Sequence, residues 1–510
     1  MIVSQPTLHF PASAQATEQS QVAASIEGSS YVFRDEAILG TRMQIHLVAR
    51  NYSDAQAAAL NARNEIDRLS AIFNSRDPGS DIAILNRSRV YRASPELFEV
   101  VAAAERWRAD SANAFSGRLG HPIALWQDAQ AQTPSRAELA RLAGAADTAY
   151  IHLDSATHTI TRPNEVVFAL DALAKGWIVD RAFEVARASP GVSGALVNIG
   201  GDIRCGGQSP ESKGWCVGIP DARFPVDNAP LAANLYLSNQ AIATSGRGPR
   251  DRALDGVFYS PTLSPRDGWP TQHSVSVSAV ASTAAVADAA ATILLTLPRP
   301  QALEWAERHG VTARIVTSDD EVLTNDLHSD ESAARVRFIP VKSPTKTKSN
   351  TEDRDIARWP QGWVSLVVFT APPRQLVRDQ HFRSPYAAMW ISDMDNKPIR
   401  TLLLVGTHLD WQEDNFIWWS LNRANTSQLA AARSMSTSGS GIYKMLWDGT
   451  DDQFKEVSSG SYVLHVETSQ ERGKHTHRSL TLDFSSGKPF TSHIPVSEEA
   501  GGLTIDFYHP

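Results

Sequence analysis

Asp288 and Thr292 stand four residues apart in the run Ala284-Ala285-Val286-Ala287-Asp288-Ala289-Ala290-Ala291-Thr292-Ile293-Leu294-Leu295. On a helix this spacing places the carboxylate and the hydroxyl on one face. The rest of the run is alanine, valine, isoleucine and leucine, and an unpaired carboxylate is costly to bury in such surroundings. A hard divalent cation relieves that cost, taking oxygen from the carboxylate, the hydroxyl and nearby carbonyls. An aspartate whose charge meets a backbone turn, in a helix of small residues built for close packing, fits the same pattern.

Two further segments carry chemistry. Lys175 and Gly176 follow Asp171-Ala172-Leu173-Ala174, where a helix is predicted to begin. A lysine near a helix N-terminus suits a phosphate or diphosphate, although a lysine is more often simply exposed. Asn198-Ile199-Gly200-Gly201-Asp202 interrupts the strand-like Ala195-Leu196-Val197. Glycines at a strand end let a ligand approach the backbone and allow positive φ, and Asp202 adds a fixed acceptor. A β-bulge without a ligand fits these glycines as well.

The text around these residues resembles the ApbE family of FAD:protein FMN transferases. Ala169-Leu170-Asp171-Ala172-Leu173-Ala174-Lys175-Gly176-Trp177-Ile178-Val179-Asp180-Arg181 is similar to that family's D-L-G-G-I-A-K-G-Y-A-V-D-R. Asn198 to Arg204 is similar to its N-L-G-G-D-I-R. In the same order stand Leu39-Gly40-Thr41 for M-G-T, Ser80 to Asn86 for S-E-L-S-R-L-N and Ala114-Phe115-Ser116 for A-F-D. Ala243 to Gly246 (A-T-S-G), Pro265 to Pro270 (P-R-T-G-x-P) and Ala287 to Thr292 (A-D-A-L-A-T) complete the set. Single pieces are common; the ordered set over roughly residues 30 to 330 is specific.

The resemblance implies an α+β domain of the T-fold kind, with antiparallel sheets and helices on one face. It implies Mg²⁺ on Asp288 and Thr292, with backbone carbonyls at Ala172 and Ala291. It implies FAD as substrate, Lys175 on the diphosphate, and Lys175 and Asp288 in catalysis. Flavin and adenine contacts are implied at Leu39, Ala114, Phe115, Ser116 and Asp171. They continue at Asn198, Gly200, Gly201, Asp202, Thr244, Ser245, Thr262 and Leu263. The implied reaction passes FMN to a Ser or Thr hydroxyl of a flavin-accepting protein and releases AMP. An FAD pyrophosphatase and a non-catalytic flavin-binding protein are the alternatives.

Several positions depart from the family. Ala169 stands for the aspartate of D-L-G-G, with Asp171 two residues later, and Ser116 stands for that of A-F-D. Arg76 replaces a tyrosine that would serve in ring stacking, and Pro261 replaces the histidine of S-H-I-L-D-P. His273, nearby in sequence, could substitute as the proton acceptor, though a lone histidine is more often structural.

The elements that must hold these residues follow from periodicity. Met43, Ile45 and Leu47 alternate as a strand from 43 to 49. Leu60, Ile66, Leu69 and Phe73 give a helix over 53–73. Ser94 and Pro95 open another over 95–109. Further helices are predicted from Leu173 and over 284–296, with a strand pair spanning 195–219. Cys205 and Cys216 are the two cysteines and flank a glycine-rich loop. If their strands pair as a hairpin, the thiols become cross-strand neighbours and a disulfide is open to them in an oxidising compartment. Two small buried residues are the equal alternative.

At 510 residues the chain is long enough for two domains. Residues 1–29 read as a disordered tail or signal remnant: Ala12 to Ala16 resembles a cleavage site without a proper apolar region before it. Residues 30–340 form the transferase-like domain, and the polar, basic stretch 341–357 a linker. Residues 358–510 alternate strand-like runs with turn signals at Asp448-Gly449 and Gly460-Ser461, the pattern of an all-β sandwich. This second domain resembles a β-rich family of unassigned function. Trp411, Trp418, Trp419 and Trp447 read as its core, with a flanking role at a planar ligand as the alternative. Relatives often carry S-G-A-T before the W-D-G turn; here Ser438-Gly439-Ser440-Gly441 puts glycine at the acceptor threonine, which argues against self-flavinylation there. A net charge of −8 disfavours nucleic acid as a partner. No apolar run reaches transmembrane length, and the family resemblance points to the periplasm.

Overall fold

The computed structural model describes residues 28–129, 132–224, 226–248, 251–254, 257–272, 274–325, 336–341, 359–371, 375–376, 382–383, 386–405, 414–422, 441–453, 455–469, 475–497 and 501–509. Strands β1 (Ser29–Ile38) and β2 (Thr41–Ala49) open this region, followed by helices α1 (Tyr52–Phe73) and α2 (Asp81–Arg87). Next come β3 (Val90–Arg92), α3 (Pro95–Asp110), α4 (Gly120–Asp128), α5 (Arg136–Thr148), β4 (His152–Asp154) and β5 (Thr159–Thr161). Helix α6 (Asp171–Ala188) leads into β6 (Val192–Ile199), β7 (Asp202–Gly207), β8 (Trp215–Pro220), β9 (Leu231–Leu237) and β10 (Ala241–Gly246). After β11 (Arg252–Leu254) and β12 (Val257–Tyr259) run β13 (Ser274–Ala281), α7 (Ala284–Thr296), α8 (Arg299–Arg308), β14 (Thr312–Thr317), β15 (Val322–Thr324) and β16 (Ile339–Pro340).

An eight-stranded antiparallel sheet, in the order β1-β2-β6-β7-β10-β13-β14-β15, carries the first domain. Side chains alternate across it, as strand geometry requires. Ile45, Leu47, Val197, Ala243 and Ala279 face α1, α6 and α7, whereas Val48, Leu196, Cys205, Ile242 and Val280 face the small sheet β16-β9-β8. The predicted α1 and α3 form, and α3 has its expected cap: Ser94 Oγ accepts from Leu97 N–H, with Pro95 in the first turn. One residue of the predicted α1 face differs. Leu60 is 58% exposed, and the buried stripe is built from Ala55, Ala58, Ala59 and Ala62 before Ile66, Leu69 and Phe73. Alanines let this helix lie close to the sheet, so the large residue points outward.

The predicted strand pair over 195–219 is instead three strands in two sheets. β6 and β7 form the hairpin, while β8 leaves to pair with β9. Cys205 is buried between the two layers. On β8, Trp215 and Val217 fill that layer, so Cys216 faces the other way, opposite Tyr236. Both thiols are free. Val341 still belongs to the first domain, its N–H bonding to Ala232 O at 3.0 Å. The rest of the predicted linker and residues 1–27 of the predicted tail lie outside the described residues, while Ser29, assigned to that tail, already opens β1 by pairing with Ala49.

The second domain contains β17 (Val364–Thr370), β18 (Gln375–Leu376), β19 (Phe382–Arg383), β20 (Tyr386–Ser392) and β21 (Pro398–Val405). Helix α9 (Phe416–Asn422), β22 (Ile442–Trp447), β23 (Ser461–Ser469), β24 (His475–Asp483), β25 (Phe490–Ser497) and β26 (Gly501–Tyr508) follow. Sheets β22-β17-β26-β25 and β21-β20-β23-β24 enclose one core. It contains Trp447, Phe369, Met389, Leu464, Ile505 and Phe507, which gives the expected sandwich. Trp418 is buried against Trp390 on the outer face, with Trp419 partly buried beside it. Gly449 has φ +71°, and a Cβ there would stand 2.1 Å from the Trp359 ring, so this predicted turn requires glycine. Trp411 and Ser438 to Ser440 lie outside the described residues.

The domains are joined by side chains that imitate a strand. Along the outer edge of β22, Asp227 N–H donates to Lys444 O (2.6 Å) and Lys444 N–H to Asp227 Oδ2 (2.8 Å). Asn228 exchanges two 2.9 Å bonds with Leu446 O and N–H. Asp227 also pairs with Arg42, whose guanidinium lies 5.1 Å from the Tyr443 ring centroid. An open sheet edge is thereby covered.

Candidate active site

Helices α6 and α7 meet at Gly176. A Cβ there would stand 2.3 Å from Ala284 O and 2.9 Å from Asp288 Cβ, so only glycine permits this approach. One turn further along α6, Asp180 accepts from Ala284 N–H (2.8 Å) and Ala285 N–H (2.9 Å). It satisfies the unpaired donors that begin α7, beside the helix's own cap, Thr283. Burial pushes the Asp180 carboxyl up, against these two donors and Arg204, whose Nε lies 3.9 Å away.

Asp288 sits one turn into α7, buried, and accepts from Gly176 N–H at 3.1 Å. Opposite it stands the β6–β7 turn. Gly200 (φ +58°) and Gly201 (φ +96°) take left-handed conformations, and Asn198 Oδ1 accepts from Gly201 N–H at 3.0 Å. Gly200 N–H donates to Arg42 O at 2.8 Å, and a Cβ on Gly200 would meet Thr41 Oγ1 at 2.7 Å. This turn delivers Asp202, 1% exposed, with Oδ2 2.8 Å from Lys175 Nζ.

Two carboxylates and one ammonium are thus gathered in a largely apolar setting. Burial, and after it the charge of Asp202, drives the Asp288 carboxyl well above the usual carboxylate range; Lys175 and the Gly176 N–H oppose this. Thr292, one turn on, places Oγ1 3.4 Å from Ser245 Oγ, and Thr244 Oγ1 lies 2.8 Å from Ser278 Oγ. Lys175, Asp202, Asp288, Thr292 and Ser245 therefore form one cluster, with Asn198, Gly200 and Gly201 shaping its wall. Asp288 and Thr292 share a helix face, as their spacing predicts.

The other predicted residues surround this cluster or lie apart from it. Asp171 is exposed in the first turn of α6, followed by Ala172, and Ala291 is buried within α7. Leu39, at φ 51°, forms the β1–β2 turn with Gly40. Ala114 and the Phe115 side chain are core residues, which leaves Ser116 and backbone to face a ligand; Ser116 Oγ accepts from Arg118 N–H at 3.2 Å. This loop is stitched to the segment before α6 by Ala169 N–H donating to Gly117 O at 2.8 Å. Leu263 packs in a satellite cluster with Trp126, Leu139 and Trp269, and Thr262 before it donates its N–H to Ser260 Oγ at 3.2 Å. Pro261 and Arg76 are exposed, and His273 lies outside the described residues. Sequence reading gave no role to Asp180 or Thr41. Asp180 follows Gly176 by four residues on the same helical face, and an acid on a buried face is the signal that would have found it.

An antiparallel sheet backed by helices, with buried acids and a half-buried lysine between a glycine turn and two helices, defines the class of this domain. Residues 39–315 match the ApbE family, and the chain belongs to that family. Residues 374–501 match a second family, described as predicted periplasmic protein (DUF2271). The FAD:protein FMN transferase of Chlamydia pneumoniae is 28% identical over 312 residues, covering 58% of this chain and 92% of the relative. That of Salmonella typhimurium is 24% identical over 324 residues, covering 60% and 88%. The protein is accordingly a transferase-type enzyme. The ApbE crystal structure from Thermotoga maritima shares the fold, with TM-score 0.53 and 24% identity over 58% of this chain and 97% of the other. Among the described residues, no helix is long and apolar enough to cross a membrane.

Proposed function

We propose that the protein transfers FMN from FAD to a Ser or Thr hydroxyl of a partner flavoprotein, releasing AMP, in the periplasm and with Mg²⁺. The observation that carries this reading is the charge imbalance at the cluster. Asp202 and Asp288 are both buried, and Lys175 is the cation recorded between them. A buried, under-compensated carboxylate beside two hydroxyls fits a hard divalent ion. Asp288, Thr292 and the carbonyl of Ala172, with Ala291 nearby, would hold it. Bound there, Mg²⁺ would offset charge on the diphosphate.

Lys175 lies near the start of α6 and binds the diphosphate, exchanging part of its pairing with Asp202 for phosphate oxygen. The Gly200–Gly201 turn admits the flavin close to backbone, and Thr244 and Ser245 offer small donors. The acceptor oxygen forms a bond to the FMN phosphorus, the bridging P–O bond breaks, and AMP keeps the bridging oxygen. The acceptor's proton passes to a base, a role assigned to His273 because Pro261 occupies the family histidine position. That same proline favours a second reading, an FAD pyrophosphatase in which water is the nucleophile.

Incubation with FAD, Mg²⁺ and a candidate acceptor, followed by intact mass, separates these. One FMN gained by the acceptor supports transfer. Free FMN and AMP alone support hydrolysis, and unchanged FAD leaves a flavin-binding protein.

A further inference from the structure

A second polar cluster lies far along the chain, on the outer face of sheet β21-β20-β23-β24. The register places His465 opposite Ser479 and Glu467 opposite His477, so His465 and His477 are diagonal neighbours. Their rings are nearly parallel (11°), and His465 Nδ1 is 3.1 Å from His477 Nε2. His465 is 5% exposed and stacks on the buried Trp390 ring, 4.7 Å away at 5°.

The hydrogen bonds fix the His465 tautomer. Ser392 donates its one hydroxyl proton to Asp393 O at 2.8 Å, so its oxygen must accept from His465 Nε2–H, also at 2.8 Å. Nδ1 is then the bare nitrogen and points toward His477. An imidazole held through its far N–H, with its lone pair presented to a second imidazole, is the arrangement that metal-ligating histidines adopt. Two nitrogens on a tetrahedral ion with bonds of about 2.0–2.1 Å stand about 3.3 Å apart, close to the separation already present.

The surroundings favour a cation. Glu467, fully buried, accepts from Ile417 N–H (3.0 Å) and Trp418 N–H (2.7 Å), and its Oε1 lies 2.6 Å from His475 Nε2. The carboxylate so fixed is the cross-strand partner of His477. His477 is exposed on β24, the outer strand of its sheet, which gives an ion a route in. Among the described residues no three of His, Cys, Asp and Glu converge on one cation position, so water completes the coordination.

We infer that His465 Nδ1 and His477 Nε2 form a two-histidine site for a borderline divalent transition-metal ion such as Zn²⁺. Imidazole suits such ions, whereas Mg²⁺ prefers oxygen. The site is separate from the transferase cluster and independent of the function proposed for it.

The test is Zn²⁺ calorimetry on the full chain in saturating Mg²⁺, with His477→Gln and His475→Gln beside the unmodified protein. His477 is exposed but its ring also stacks on Trp390, centroids 5.7 Å apart, so the folding of each variant is verified by circular dichroism. One Zn²⁺ equivalent is expected to weaken by at least about tenfold in His477→Gln, equal to 1.4 kcal/mol, and to be retained in His475→Gln. Zn²⁺ should raise Tm in the unmodified protein and in His475→Gln but not in His477→Gln. Equal Zn²⁺ affinity in all three, or no Zn²⁺ binding to the unmodified chain, overturns the inference and leaves the pair as a hydrogen-bonded brace of the sheet.

Discussion

Gly176 lies so close to Asp288 that its N–H is the carboxylate's backbone donor, at 3.1 Å, while a methyl on its Cα would stand 2.9 Å from Asp288 Cβ. The contact that makes the site thus also closes the α6–α7 interface.

Gly176→Ala should therefore damage both. The added methyl meets backbone, Ala284 O, which cannot swing aside. Overpacking of this kind costs about 1–3 kcal/mol. The expected result is a lower Tm and loss of Mg²⁺-dependent FAD turnover. A variant with unchanged Tm and turnover would show that the helices have room to part.

Asp288→Asn addresses the charge. Burial raises the folded-state pKa of this carboxyl above its unfolded value. As pH climbs out of the ordinary carboxylate range near 4, the unfolded chain gives up its proton first, so ionisation works against the fold. Metal-free protein should lose stability across that window, and the asparagine variant should lose less. In EDTA near pH 8 the variant is expected to melt higher, and 1 kcal/mol corresponds to about 2–4 °C in a domain of this size. Added Mg²⁺ should raise Tm in the unmodified protein only. A variant that melts lower in EDTA at pH 8, yet still responds to Mg²⁺, would refute the assignment.

What the sequence revealed here depended on periodicity and local order. Asp288 and Thr292 were legible because a helix face converts spacing directly into proximity. Lys175 and Asp202 were legible only as separate motifs; their 2.8 Å pairing arises from the long-range meeting of α6 with the β6–β7 turn. Asp180 carried no local signal of what it caps, since Ala284 is supplied from far along the chain. The error at β8 was of the same kind. Local alternation marks a strand without naming its partner, and Cys216 went to a different sheet from Cys205.

That separation predicts the thiol chemistry. Burial pushes the Cys205 thiol up to about 12, and burial raises Cys216 as well, so both stay protonated and slow to react in the native fold. Denatured, unreduced protein should titrate as two thiols. Finding none would mean that the thiols are oxidised despite the sheets that hold them apart.

Asp227 and Asn228 raise the question of whether the first domain needs the second. The described bonds of these two residues to β22 end on the polar backbone of Lys444 and Leu446, and Arg42 supplies the neighbouring charge. Water can replace such partners once the sandwich is removed, so the loss should be small beside that of a large apolar interface. The first domain also keeps its own helix–sheet core and every residue of the Lys175–Asp202–Asp288 cluster. A fragment of residues 28–341, ending after the Val341 N–H that pairs with Ala232 O, is expected to fold and to bind FAD with Mg²⁺ within a few-fold of the full chain. Arg42 is the sensitive point, because its carbonyl receives the Gly200 N–H of the glycine turn while its side chain holds Asp227. In the full chain, Asp227→Ala should loosen the sandwich and lower its Tm without abolishing FAD binding. FAD affinity, by calorimetry on a fragment whose folding is verified by circular dichroism, decides the matter. A folded fragment that fails to bind would mean that the sandwich, acting through Tyr443 and Arg42, holds the glycine turn in its binding conformation.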